Sequence, residues 1–167
     1  NNLSFISHRN KMIQGYLRSM LITLLAYIIG GLSGMIVYLL MAFTGKAILE
    51  SINYIEHHGL VRVPGTKIRP DHSWNSNCIM SSLLLFNLTR HSAHHEKATL
   101  EYWELPVYAD APSLPGGYLS MLYLIVLCPF LYHRIMSKYL ISWDQHFATN
   151  QERKLASIQN ENSGISA

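Results

Sequence analysis

The stretch SMLITLLAYIIGGLSGMIVYLLMAFTG, from Ser19 to Gly45, contains no charged side chain and is built mostly of Leu, Ile, Val, Met, Tyr and Phe. About 20 apolar residues suffice for a helix to cross a bilayer, so the run exceeds the need of a single span and could form one tilted helix. The cluster Gly30-Gly31-Leu32-Ser33-Gly34 interrupts it, and glycine clusters punctuate helices. A hairpin therefore explains more: helices over about 14–30 and 34–58 with a short external turn. Basic residues lie outside both ends, Arg9, Lys11 and Arg18 before and Arg62, Lys67 and Arg69 after. Under the positive-inside rule both ends face the cytoplasm.

Composition agrees with this setting. Of 167 residues 49% are hydrophobic and 14% charged, with mean hydropathy +0.12, where an ordinary soluble domain carries about 25% charged residues. The net charge of +3 is spread over several loops, which argues against a nucleic-acid partner. Abundant Tyr and Trp fit an interfacial belt. Cys78 and Cys128 sit in apolar surroundings, far apart, and read as buried free thiols. Residue 1 is Asn and no signal-peptide pattern opens the chain, so a piece of something longer is expected.

Downstream of the hairpin, Val61 to Asn77 carries Pro64-Gly65, Pro70 and the polar run His72-Ser73-Trp74-Asn75-Ser76-Asn77, and reads as a cytoplasmic loop. Ser76 or Asn77 could cap a following helix over about 77–95. Tyr102 to Gly117 is loop again. Tyr118 to His133 is apolar but short for a span and holds Pro129, so a helix along the interface is preferred to a third span. From Thr149 the chain is polar and expected to be disordered.

The chemistry concentrates in Thr89-Arg90-His91-Ser92-Ala93-His94-His95. On a helix, positions i, i+3 and i+4 share a face, so His91, His94 and His95 can aim at one point. Leu84, Leu88, His91 and His95 would form one stripe, making the imidazoles a continuation of the buried face. Clustered neutral imidazoles need partners for their nitrogens and protonated ones repel; a metal ion satisfies both. The competing reading is a patch facing lipid headgroups, and the triplet at the end of an apolar stripe favours metal. Spacing alone does not choose zinc over iron.

A second cluster, NYIEHHGL (Asn53 to Leu60), ends the hairpin. Glu50, Asn53, Tyr54 and His57 form a polar stripe on an apolar rod, and ionisable groups in such a place usually face a bundle interior or a functional cavity. His57 is placed to join the metal site; Glu50 and Glu56 could be ligands or acceptors behind them. His58 points about 100° away, as one helical step dictates, and His72 could support the site or be a loop residue. His8, His133 and His146 read as bystanders. No G-x-S-x-G, Walker-type loop, G-x-G-x-x-G or H-E-x-x-H occurs, which leaves nucleophilic and nucleotide chemistry without support.

These motifs resemble those of bacterial membrane alkane hydroxylases (alkane 1-monooxygenases). NYIEHHGL is similar to the family's NY-x-EHYGL, DHSWNSN to its H-x-W-N-S-N, and LTRHSAHH to its LQRHSDHH; LPGGY with the apolar segment after it looks like the C-terminal region. The resemblance covers about residues 15–140, in the same order and spacing. It departs at His58 for Tyr, Thr89 for Gln and Ala93 for Asp, and the family's HE-x-x-H and EH-x-x-GHH boxes do not occur.

The resemblance implies an all-α integral membrane helical bundle, of which this chain is a fragment: a transmembrane hairpin, a cytoplasmic His-bearing helix and an interfacial C-terminal helix. Residues 1–148 would be the C-terminal part of a di-iron hydroxylase domain, with the hairpin at about 14–58 and the metal-site region at about 59–148, and 149–167 a polar tail. It implies two irons on the cytoplasmic side of the bacterial inner membrane, in a multi-pass protein. His57, His91, His94 and His95 would be metal ligands, supported by Glu50, Asn53, Tyr54, Glu56 and His72, with no catalytic residue beyond the ligands. The implied activity is insertion of one oxygen atom of O2 into the terminal C–H bond of a medium- or long-chain alkane, with electrons from a rubredoxin-like donor. Four histidines do not complete such a site, so the chain alone is expected to be inactive. The alternatives are a hydroxylase of alkyl side chains on aromatics, a related desaturase, or a non-catalytic metal-binding membrane subunit.

Overall fold

A computed structural model of the chain describes residues 10–97 and 99–162; His8 and Arg9 lie outside these. Six α-helices follow in order: α1 Lys11–His57, α2 Ile79–Leu84, α3 His91–Glu96, α4 Tyr118–Leu127, α5 Pro129–His146 and α6 Asn150–Asn162, with a one-turn 3-10 helix at Pro70–His72. Among the described residues there is no β-strand, only an isolated parallel bridge between Asn75 and Ser113. The all-α class expected from the sequence holds. The residues up to Leu49 and those from Glu50 onward form two compact units.

In the first unit, α1 is interrupted at Gly31, whose φ of 60° and ψ of −154° leave the helical region. A positive φ costs glycine nothing sterically. The break brings Gly34 against the carbonyl oxygen of Ala26, 2.7 Å from where a Cβ would stand, although eight residues of straight helix would separate them by about 12 Å. Large apolar side chains are exposed along the whole segment, with Ile29 at 85%. A helical segment with so much exposed apolar surface is at home in lipid, where tails are as apolar as its side chains. Among the described residues α1 is the one helix long and apolar enough to cross a membrane.

The second unit has a core of Ile52, Ile55, Trp74, Leu114, Tyr118, Met121, Tyr132, Met136, Trp143 and Ala148. Two of the three tryptophans thus serve packing rather than an interfacial belt. Trp143 also donates its indole N–H to the Asp71 carbonyl at 2.7 Å. The apolar run from Tyr118 does not continue through Pro129, which instead begins α5; proline suits a first helical turn because its missing N–H would have no partner there.

Three further expectations are corrected. The helix expected over 77–95 is two short helices, α2 and α3, separated by Phe86 and Asn87 in the left-handed region (φ 50° and 58°). Local polar groups outcompete helical continuation: the Asn87 N–H donates to the Ser82 carbonyl at 2.8 Å, its side chain donates to the Tyr102 carbonyl at 3.0 Å, and the hydroxyls of Ser82 and Thr89 lie 2.9 Å apart. Asn tolerates the left-handed conformation and offers side-chain hydrogen bonds that compete with the helix. Leu84 and Leu88 therefore do not share a helix face with His91 and His95. Cys78 and Cys128 are both exposed, because the apolar surface around them is itself turned outward, as Ile79 and Leu127 show at 74% and 72%. Residues 150–162 form a helix where the polar composition suggests a frayed tail, because Thr149 and Glu152 cap its start. The remaining five residues lie outside the described part.

Candidate metal centre

The end of α1 and the short helix α3 bring three imidazoles together. Nε2 of His57 lies 2.9 Å from Nε2 of His95 and 3.3 Å from Nε2 of His91, and the ring centroids are 4.3–5.2 Å apart. The ligand atoms of the three residues lie within 4.8 Å of one another. Two imidazole lone pairs cannot face each other at such distances without repulsion, and one shared proton can bridge only one pair. A cation at about 2.0–2.1 Å from each nitrogen satisfies all three.

The outer nitrogens support this reading. Nδ1–H of His57 donates to the Asn53 carbonyl at 2.9 Å, which leaves the Nε2 lone pair directed inward. Nδ1 of His91 lies 3.3 Å from Oε1 of Glu56; both atoms are buried and neither completes an aligned hydrogen bond. A slight turn of the His91 ring would make Glu56 the acceptor of its N–H. Ligating imidazoles commonly give their second N–H to a carbonyl or carboxylate, which fixes tautomer and orientation. Burial, together with the neighbouring imidazoles of His95, His57 and His94, holds His91 far below the ordinary imidazole value, at about 3; burial and His57 also lower His95. Neutral rings carry the lone pairs a metal needs.

The supporting shell is a polar knot around Ser92, which is fully buried. Its N–H donates to Asn75 Oδ1 at 3.0 Å, Asn75 Nδ2 donates to its hydroxyl at 2.6 Å, and that hydroxyl donates to the Pro70 carbonyl at 2.6 Å. Trp74 ties the loop to the end of α1, its N–H donating to the Glu56 carbonyl and its indole to that of His58, both at 2.8 Å. Gly117 of the LPGGY segment stands so close to α2 that a Cβ would meet Ser81 Oγ at 2.5 Å.

The other sequence candidates take distinct places. His94 is exposed beside the cluster, its ring 6.0 Å from that of His91 and 6.2 Å from that of His95, and it is not one of the three whose nitrogens converge. Glu50 is exposed on α1, and Asn53 contributes its backbone carbonyl rather than its side chain. Tyr54 packs on His58, whose ring turns away to Tyr54, Tyr132 and His133 at 5.0, 5.3 and 5.1 Å. His72 is buried, its Nδ1 accepting from the Arg69 N–H at 3.1 Å and its Nε2–H donating to Glu152 at 2.8 Å. With both nitrogens engaged it cannot also ligate. Sequence reasoning missed Asn75, Ser92, Arg69 and Glu152. For the last a signal existed, since Thr149-x-x-Glu152 is a capping-box pattern that marks a helix start.

Burial pushes the Glu56 carboxyl up to about 8; replacing it with Gln keeps the size but puts an amide in place of the carboxyl group that faces His91. The expected result is a roughly 10–100-fold loss in metal affinity, the usual cost of removing such a partner. Titration of the detergent-solubilised chain with Co(II) measures it, and unchanged affinity would leave Glu56 without a role in the site.

An apolar helical chain of membrane type, carrying an imidazole cluster fit for a metal ion, defines the class. A family model described as fatty acid desaturase matches residues 3–125, and the chain belongs to that family. It is 39% identical over 137 residues to alkane 1-monooxygenase 2 of Alcanivorax borkumensis, covering 79% of this chain and 36% of the relative. It is 40% identical over 138 residues to alkane 1-monooxygenase 1 of Pseudomonas aeruginosa, 77% of this chain and 35% of the relative. It is 33% identical over 142 residues to the hydroxylase component of a xylene/toluene monooxygenase of Pseudomonas putida, 84% of this chain and 38% of the relative. The chain spans a little over a third of the length of these relatives.

Proposed function

We propose that this chain supplies part of the histidine-rich iron site of a membrane di-iron monooxygenase that converts an alkane to its primary alcohol. The observation that carries the reading is the convergence of Nε2 atoms from NYIEHHGL and TRHSAHH, the two motifs that resemble the alkane hydroxylases. Iron, when bound, supplies the activation of O2 that a saturated C–H bond requires. His57, His91 and His95 hold it, and Asn53 and Glu56 orient their rings. His94, exposed next to them and free of the three-nitrogen cluster, is the fourth ligand in a two-iron site. A saturated chain offers no polar handle, so its binding rests on apolar burial alone. The departures from the motifs are accommodated locally: Thr89 is fully buried with its hydroxyl on Ser82, and Ala93 is buried where a carboxylate would need a partner. The protein belongs in the bacterial inner membrane as a multi-pass enzyme with its metal on the cytoplasmic side, taking electrons from a rubredoxin-like donor.

The relative that is a xylene/toluene monooxygenase component favours one second reading, attack on alkyl side chains of aromatics. A chimera in which residues 15–140 replace the matching stretch of the Alcanivorax borkumensis relative tests both. Cells carrying it are expected to convert octane to 1-octanol in preference to oxidising xylene, and His94→Ala in the chimera should lower iron content and abolish product. A folded, iron-loaded chimera that makes no alcohol from octane would overturn the proposal, and preference for xylene would move it to the second reading.

A further inference from the structure

We infer that Glu152, on the C-terminal helix α6, is a positioning residue for the histidine cluster. The inference rests on the metal reading of His57, His91 and His95. Glu152 is 3% exposed, although it sits in the most polar stretch of the chain. Its Oε1 accepts from His72 Nε2–H at 2.8 Å and from Arg69 Nη2 at 3.3 Å. Its Oε2 accepts from Arg69 Nη2 at 3.0 Å and from the N–H and hydroxyl of Thr149, each at 2.8 Å. Burial pushes this carboxyl up, but the bonds from Thr149 and His72 and the charge of Arg69 outweigh it and hold the group below its ordinary value.

The two residues it grips bound the turn on which α3 is seated. His72 lines a cleft of about 250 Å³ together with His57, His95 and Arg62. The next residue, Ser73, puts its hydroxyl 2.8 Å from that of Ser92, and Pro70, within the same turn, receives the Ser92 hydroxyl at 2.6 Å. Ser92 is the immediate neighbour of His91. A continuous hydrogen-bonded path therefore runs from Glu152 through His72 and the Pro70–Ser73 turn to the backbone that aims His91 and His95.

A capping box alone would account for the Thr149 bonds but not for the burial of the carboxylate on His72 and Arg69. Stability alone is a poor reason for that burial, because desolvating an ion pair costs about as much as the pair returns. What the arrangement supplies is a fixed position for the turn. A hydrogen-bonded carboxylate also keeps His72 in its Nε2–H tautomer and so prevents it from competing as a ligand.

The test uses the full chain in detergent with Co(II) as probe, comparing wild type, E152A, E152Q and R153A. E152A is expected to bind Co(II) about tenfold more weakly, at the lower end of the effect of outer partners, and to show a shifted d–d spectrum at saturating metal. E152Q, which keeps the size and the helix cap but gives up the charge, should shift the spectrum in the same direction by less. R153A, which disturbs the exposed side of α6, should leave it unchanged. If E152A does not fold, E152Q decides the matter by itself. A thermal midpoint lowered with an unaltered saturated spectrum would reduce Glu152 to a structural role and overturn the inference while sparing the metal site. Failure of the wild type to bind Co(II) any better than H91A would overturn the metal reading, and this inference with it.

Discussion

Replacing His91 with Ala is expected to cost the chain at least about 100-fold in affinity for Co(II) or Fe(II), more than the loss of any supporting partner. His91 is 6% exposed, its Nε2 faces His57 at 3.3 Å, and its other nitrogen faces the buried carboxylate of Glu56. Its removal takes one of three converging lone pairs and leaves that carboxylate without an opposite number. The paired control is His94→Ala, which should cost less than about tenfold for a single metal in this chain, below the usual loss of even an outer partner, because its exposed ring lies outside the three converging nitrogens. Absorption titration of the metal-free chain distinguishes the two. Equal losses would mean that His94 swings into the site and that the three-nitrogen geometry is incomplete.

The second large effect is on stability. Trp74→Ala is expected to destabilise the unit that begins at Glu50 by about 3–5 kcal/mol, the range for removing a buried Trp or Phe side chain. Trp74 is 2% exposed, donates its indole N–H to the carbonyl of His58 at 2.8 Å, and accepts the Tyr118 hydroxyl on its own carbonyl at 2.6 Å. The ring fills the core between the end of α1 and α4, so its loss opens a cavity and orphans a carbonyl together. Trp74→Phe keeps most of the volume and should cost only about 1–3 kcal/mol for the unpaired group. Unfolding in detergent followed by near-UV circular dichroism measures both, and a Trp74→Ala loss below about 1 kcal/mol, smaller than even an orphaned polar group costs, would contradict this packing. Metal affinity should fall with stability in this variant, because the lost indole N–H also holds the carbonyl of His58, next to His57 at the end of α1.

Chain composition determined much of this. The apolar run from Ser19 to Gly45 dictates helix in a lipid setting, because only a segment that satisfies its own backbone can remain there, and Gly31 marks its break. The histidines were legible as candidate metal ligands for a chemical reason: residue type sets which atoms have lone pairs, and His57, His91 and His95 bring theirs together. Their membership of one cluster across 38 residues of chain was suggested by the motifs alone.

Tertiary structure decided what periodicity cannot encode. A continuous 3.6-residue pattern through Leu84, Leu88 and His91 implies one helix, but long-range and local hydrogen bonds at Asn87 and Thr89 end it, and α3 alone presents the histidines. The support of Asn53 comes from a backbone carbonyl, which every residue possesses and no sequence pattern distinguishes. Glu152 looks like one more charge in a polar tail; only when α6 is laid against His72 and Arg69 does its carboxylate become buried. Local chemistry fixes which groups can bind a metal, whereas His72, beside them, is held by a carboxylate 80 residues further along the chain, and that pairing exists only in the folded chain.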